Sequence, residues 1–108
     1  MEINKIIGSP IKINNIEVAE NDFPEKMTWE EALKACLEIG DGWRLPSIDE
    51  AKILFKQRKK IGGFQEYSYW TSTELTSDFV WNQGFTSVKS DYNFSKNGPL
   101  CVRIVRSV

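Results

Sequence analysis

Residues 27–50 read Met-Thr-Trp-Glu-Glu-Ala-Leu-Lys-Ala-Cys-Leu-Glu-Ile-Gly-Asp-Gly-Trp-Arg-Leu-Pro-Ser-Ile-Asp-Glu, two helix starts separated by a glycine turn. Thr28-Trp29-Glu30-Glu31 is a capping box. The Thr28 hydroxyl can accept from the backbone of residue 31 while Glu31 reaches back to the Thr28 amide. Trp29, Ala32, Leu33, Cys36 and Ile39 follow at helical spacing, which predicts a helix over 29–39. Gly40 offers a left-handed cap, and Asp41-Gly42 a turn. Ser47-Ile48-Asp49-Glu50 repeats the capping box directly after Pro46, and Ile48, Ala51, Leu54 and Phe55 supply an apolar face. The second helix is expected to end before Gly62-Gly63. Lys56, Arg58, Lys59 and Lys60 crowd its final turn, where cations complement the helix dipole. They read as a solvated helix end, although an acidic partner would also suit them.

Upstream, residues 11–18 read Ile-Lys-Ile-Asn-Asn-Ile-Glu-Val. Apolar and polar positions alternate on both sides of Asn14-Asn15, predicting a hairpin with strands near 10–13 and 16–19 joined by a type I′ turn. Ile3, Ile6 and Ile7 read as a further short strand, and 20–27, which holds Pro24, as a loop. Downstream the period changes to two. Tyr67-Ser68-Tyr69-Trp70-Thr71-Ser72-Thr73 is β-branched and aromatic, hence a strand. Phe79, Trp81, Gln83 and Phe85 then alternate with Val80, Asn82 and Gly84, and Phe85-Thr86-Ser87-Val88-Lys89 continues that strand or begins its partner. Asp91 to Pro99 reads as a loop. Leu100 to Arg106 reads as a closing strand, with Cys101, Arg103 and Val105 on one face and Val102, Ile104 and Arg106 on the other. Helices grouped mid-chain between strands mean α+β. The expected architecture is two helices packed on twisted antiparallel sheets, with the N- and C-terminal strands adjacent.

The 108 residues fit a single domain, and at 41% hydrophobic they can fill one core. Fourteen Lys and Arg against fifteen Asp and Glu leave a net charge of −1, which argues against a general nucleic-acid binder. The chain contains no histidine, so His-based nucleophilic catalysis, His-ligated metals and a histidine pH switch are excluded within it. Apolar runs fall far short of the ~20 residues of a membrane span. The start, Met1 to Pro10, lacks a cationic segment followed by a long apolar one. As written the chain reads as cytoplasmic, and as extracellular only if excised from a larger exported protein. Cys36 and Cys101 fit no zinc or redox spacing. Two buried thiols are the expectation, with a bridge requiring oxidising surroundings.

Four stretches carry a resemblance. They are Met27-Thr28-Trp29-Glu30-Glu31-Ala32 through Cys36, Gly42-Trp43-Arg44-Leu45-Pro46-Ser47 through Glu50, Tyr69-Trp70-Thr71-Ser72-Thr73-Glu74, and Val102-Arg103-Ile104-Val105-Arg106. With Trp81 and Phe85, they resemble the Lcl C-terminal-like family, a bacterial domain of unknown function, over residues 27–106. The resemblance implies the C-type-lectin-like fold, shared with formylglycine-generating enzymes and with variable receptor-binding proteins of phages. Members often carry one cysteine in the first helix and another inside V-R-C-V-R. Here Cys36 stands at the first position but Ile104 at the second, and Cys101 lies on the opposite strand face, so a family-type bridge does not carry over.

Arg44 needs a carboxylate or carbonyl partner, and Glu50, Glu31 and Glu74 are available; it reads as an internal ion pair joining the helices to the sheet, or else as a ligand-binding arginine, with Glu50 counted among the structural residues. Trp29, Trp43 and Trp70 read as core, because aromatics bury large areas. Trp81 reads either as core or as a surface platform. The segment from Lys89 to Asn97 suits a recognition loop, Tyr and Asn giving area and polar contacts. It also suits an ordinary loop with Tyr92 and Phe94 tucked beneath. The expected ligand-binding set is Trp81, Gln83, Lys89, Asp91, Tyr92, Asn93 and Lys96. Calcium-dependent sugar binding has poor support, since Trp81-Asn82-Gln83 is the nearest match to a W-N-D triplet and glutamine lacks the charge a hard cation prefers. No cofactor, metal, nucleic acid or membrane partner is implied.

Three functions compete. The first is a non-catalytic module that binds a glycan or a protein through the face formed by residues 74–98. The second is a structural or assembly component of a phage or secretion system, since several edge strands and a modest charge permit homo-oligomers. An enzyme related to formylglycine generation is the weakest, because neither cysteine sits in a loop with an activating base.

Overall fold

A computed structural model describes residues 3–86 and 90–108. The elements in chain order are α1 (Ile3–Ile7), β1 (Ile11–Ile13), β2 (Ile16–Val18), α2 (Trp29–Ile39), α3 (Ile48–Lys56), α4 (Arg58–Ile61), β3 (Ser68–Glu74), β4 (Phe79–Gly84), β5 (Ser90–Ser95) and β6 (Val105–Ser107). They form two three-stranded sheets, ordered β1-β2-β6 and β3-β4-β5, with every strand pairing antiparallel. The fold is therefore α+β. Strand β2 lies between its hairpin partner and the C-terminal strand, with Val18 opposite Val105 and Ile16 opposite Ser107. No described helix is long and apolar enough to cross a membrane.

Both capping boxes close. Thr28 Oγ1 accepts from the Glu31 amide and Glu31 returns a carboxylate to the Thr28 amide; Ser47 and Glu50 do the same on α3. Helix α2 buries Ala32, Ala35, Cys36 and Ile39, while α3 buries Ala51, Leu54 and Phe55. These faces feed different clusters. One gathers Trp43, Leu45, Trp70, Val80, Val102 and Ile104 around α2; the other gathers Ile13, Ile16, Val18, Tyr69, Phe85, Cys101 and Val105 around α3. Residues 101–105 are the partition between them, alternate side chains entering opposite clusters with both faces buried.

Several expectations are corrected. Residues 3–7 are helix rather than strand. Ile3, Ile6 and Ile7 are spaced by three and four, the interval of one helix face, and the Ile6 and Ile7 carbonyls accept the Asn21 and Glu20 amides. The hairpin turn is not type I′, which requires positive φ at both central residues; only Asn14 adopts it, at φ 54. Gly40 has φ 73 but ψ −157, outside the left-handed helical basin and accessible essentially to glycine alone. The second predicted helix breaks at Gln57 into α3 and α4. The closing strand is regular only over Val105–Ser107; before it, Leu100 bridges Met27, and Cys101 bridges Tyr69 in parallel.

The largest correction is Ser90–Ser95, read as part of a loop but paired along its whole length with β4. Its polar residues alternate with Tyr92 and Phe94, so the period of two was present beneath a polar composition. Phe94 packs against the α2 cluster, its ring 6.0 Å from that of Trp70. The chain turns only after Ser95, whose carbonyl accepts the Gly98 amide.

Candidate recognition face

The β3–β4 hairpin turns tightly through Leu75 to Asp78. Leu75 N–H donates to the Phe79 carbonyl at 2.9 Å, and Thr76 Oγ1 accepts the amides of Asp78 and Phe79 at 3.2 and 3.1 Å. This short turn leaves Leu75 46% and Phe79 41% exposed, side by side at the tip. Phe79 and Trp81 share a face of β4, opposite Ser95 and Asn93 of β5. Trp81 is half-buried, and Asn93 is exposed beside it.

That face closes as it runs along the strand. Gln83, two residues beyond Trp81, is fully buried opposite Tyr69, and its Nε2 donates to the Gly84 carbonyl. Phe85 follows, stacked on Phe64 at 4.4 Å and edge-on to Phe55 of α3. The expectation that Gln83 binds ligand from the surface is corrected for this reason: α3 and Phe64 cover the end of the face that alternation placed level with Phe79. Asn82 is buried too, on the opposite face of β4, so the Trp81-Asn82-Gln83 triplet turns no side-chain oxygen to solvent. Of the remaining expected ligand residues, Lys89 lies outside the described residues, and so do the side chains of Asp91 and Tyr92, whose backbone belongs to β5.

Lys96 is built into the site. Its Nζ pairs with Glu74 Oε2 at 2.9 Å and lies 4.6 Å from the centre of the Trp29 ring. Its amide donates to the Asp78 carbonyl, and its own carbonyl accepts the Trp29 amide. One residue thus ties the hairpin tip, the end of β5 and the start of α2. Around it Thr28, Glu30, Ser77, Asp78, Lys96 and Asn97 line a polar cleft of about 290 Å³. Among the described residues no three thiols or carboxylates converge on a point that would hold a metal ion.

The residues read as structural hold the frame beneath. Trp70 is fully buried and donates from Nε1 to the Met27 carbonyl; half-buried Trp29 donates to the Thr71 carbonyl. Trp43 is buried under the Arg106 guanidinium. Arg44 makes a two-pronged pair with Glu50, at 2.7 and 2.9 Å, and also donates to Ser107 Oγ. Hydrogen bonding to Arg44 holds the Glu50 carboxyl below its usual range despite partial burial, which opposes the shift.

Sequence reading missed two features. Exposed Leu75 and Phe79 are one; their exposure depends on how tightly the hairpin turns. The other is a buried polar knot. Arg103, 1% exposed, donates from Nε to Asp22 Oδ1 at 2.7 Å and from Nη1 to the Ala19 and Gly62 carbonyls, with its guanidinium 4.1 Å above the Phe64 ring. Tyr69 donates its hydroxyl to the other Asp22 oxygen, and burial followed by that carboxylate pushes its phenol well above the ordinary range. The V-R-I-V-R motif was the available signal, but Asp22 lies too far along the chain to be paired with it by pattern.

Cys36 and Cys101 are both buried and free. They belong to opposite clusters, and burial pushes the Cys36 thiol up to about 11 and raises Cys101 as well.

No family model matches the chain, and no curated protein matches it. Solved structures do. EMS16, an antagonist of the collagen receptor integrin α2β1, superposes with a TM-score of 0.70 at 12% identity, covering 94% of this chain and 98% of its own. Rhodocetin superposes with a TM-score of 0.68 at 16% identity, covering 92% and 97%. At these identities the likeness speaks for architecture alone, and the architecture of this chain is the C-type-lectin-like fold.

Proposed function

We propose that the chain is a non-catalytic recognition module that binds a protein partner through the open end of the β3-β4-β5 sheet. The observation that carries this reading is the adjacent pair of exposed apolar side chains, Leu75 and Phe79, beside half-buried Trp81. A patch of aromatic and aliphatic groups rimmed by polar ones is the composition of a protein interface core. EMS16, with the same fold, antagonises a protein receptor, which agrees in kind. The resemblance to a bacterial domain points to a bacterial or phage setting. Catalysis fits poorly, because burial raises both thiols where a nucleophilic cysteine needs its pKa lowered.

A second reading, calcium-independent glycan binding, draws on the polar cleft. Its acids, amide, hydroxyls and ammonium offer the donors and acceptors that sugar hydroxyls use, in a volume of about 290 Å³. The test is affinity capture from lysate of the source organism, run with wild type, Leu75→Ser/Phe79→Ser and Leu37→Ser, alongside a glycan array with Glu30→Gln/Asp78→Asn. Leu37, 82% exposed on α2, is the control for a generic apolar contact. Loss of a captured protein in the hairpin variant but not in Leu37→Ser is expected. Capture that survives the hairpin variant overturns the protein reading, and array binding lost only in the cleft variant installs the glycan one.

A further inference from the structure

The two sheets have four outer edges, and three of them are blunted. Strand β1 is three residues long, follows Pro10 and exposes Lys12. The free side of β6 is occupied by Arg44, which exchanges two backbone hydrogen bonds with Val105 at 2.8 and 2.9 Å. The free side of β3 is covered by Cys101 and Pro46, through Trp70 N–H to the Cys101 carbonyl and Ser72 N–H to the Pro46 carbonyl. Short strands, lysine, proline and covering segments are the usual protections against edge-to-edge pairing. Strand β5 is six residues long with no proline or lysine, and among the described residues no covering segment lies along Ser90–Phe94.

The ladder phase shows which groups that edge presents. Lys96 N–H donates to the Asp78 carbonyl, so the bonded positions of β5 toward β4 are the even ones, Phe94, Tyr92 and Ser90. The neighbouring strand agrees. Odd-numbered Phe79 and Trp81 turn their carbonyls toward β3, to Leu75 N–H and Thr71 Oγ1. Asp91, Asn93 and Ser95 therefore direct their backbone N–H and C=O groups away from the sheet, where the Ser95 carbonyl already accepts the Gly98 amide. Among the described residues no backbone group from elsewhere meets those of Asn93.

We infer that β5 pairs antiparallel with β5 of a second copy of this chain, about a two-fold axis at Asn93, joining two three-stranded sheets into one of six. The occupant is a second copy because the edge is self-complementary. In that register Asn93 faces its own copy and Asp91 faces Ser95, so no like charges stand opposite each other. A net charge of −1 offers little repulsion between copies. The two-fold puts both Phe79–Trp81 patches on the same side of the joined sheet, antiparallel to one another. This pairing holds whichever ligand the hairpin end takes.

The contact is smaller than the ~1,600 Å² of a standard stable interface, so the dimer is weak and concentration-dependent. Sedimentation equilibrium of the whole chain is expected to show monomer at about 10 µM and a substantial dimer fraction at about 1 mM. Asn93→Pro deletes the central outward N–H while leaving the β4-facing bonds intact, as proline on a sheet edge can. It is expected to weaken association at least ~10-fold with the thermal midpoint retained. Should that variant not fold, Asn93→Lys sets like charges face to face and tests the same axis. Concentration-dependent slowing of amide exchange at Asn93 is the matching signature. A chain monomeric at 1 mM, or association unchanged in the folded variant, overturns the inference. So does a monomeric chain that takes up an added extended peptide along β5, which would assign the edge to a foreign strand.

Discussion

Asp22→Asn isolates the buried knot under β3. The substitution keeps the shape of the side chain and removes its charge. Arg103, 1% exposed, then keeps two carbonyl acceptors and the Phe64 ring but loses the only carboxylate among the described residues that meets it, while Tyr69 loses a charged acceptor. Breaking a buried pair from one side leaves an uncompensated charge and costs about 3–5 kcal/mol. Native domains have about 5–15 kcal/mol in total, so the variant should be folded but marginal, its Tm lowered by roughly 15 °C or more. Urea unfolding followed by tryptophan fluorescence measures it. The midpoint should fall with the slope unchanged, since the surface exposed on unfolding is the same. Asp22→Leu/Arg103→Met removes both charges and should recover much of the loss, as apolar replacement of whole buried pairs does elsewhere. A single-variant cost below about 1 kcal/mol, or a double variant no better than the single, would refute the view that Asp22 neutralises Arg103 in the interior.

Two further predictions concern pH. The folded-state pKa of Glu50 is depressed by Arg44, so its contribution to stability is present above the ordinary carboxyl range and lost as pH falls through the folded value. Acid titration of Glu50→Gln should show a shallower loss of stability below about pH 4.5 than wild type; identical curves would mean that the ion pair is not coupled to folding. The Cys36 thiol has a folded pKa of about 11, against 9.0 ordinarily, so its contribution is complete below pH 9 and is lost as pH rises toward 11. Native protein at pH 8 should react slowly with a thiol reagent, and denatured unreduced protein should yield two thiols per chain. Finding none would reveal a disulfide instead.

What was legible in the sequence is what is local. Thr28 and Glu31, or Ser47 and Glu50, lie three residues apart, and their hydrogen bonds depend on little beyond the chain between them. Arg44 and Glu50 are nearly as close, separated by one turn into α3. The hairpin at Asn14 announced itself by alternation on both sides. Distance along the chain defeats the same reasoning. The Asp22–Arg103 pair closes a loop of most of the protein, and Gln83 is buried because α3, far upstream, folds over one end of β4 but not the other. Ser90–Ser95 hid for a different reason: as an edge strand, its polar residues resemble those of a loop, and two alternating aromatics are a short signal beside its pairing to β4. Of the expected site, Trp81 and Asn93 stand opposite each other on the open face, Lys96 lies against Trp29 and Glu74 toward α2, and Gln83 is sealed beneath.

Recognition where the β3-β4-β5 sheet is left uncovered would show in its backbone amides. Hydrogen–deuterium exchange of the chain, alone and saturated with the protein it captures, tests it most directly. Slowed exchange is expected over residues 75–81 and 93–97, with little change along α2 and α3. Protection centred on either helix, with the Leu75–Phe79 turn exchanging as fast as in the free chain, would contradict it.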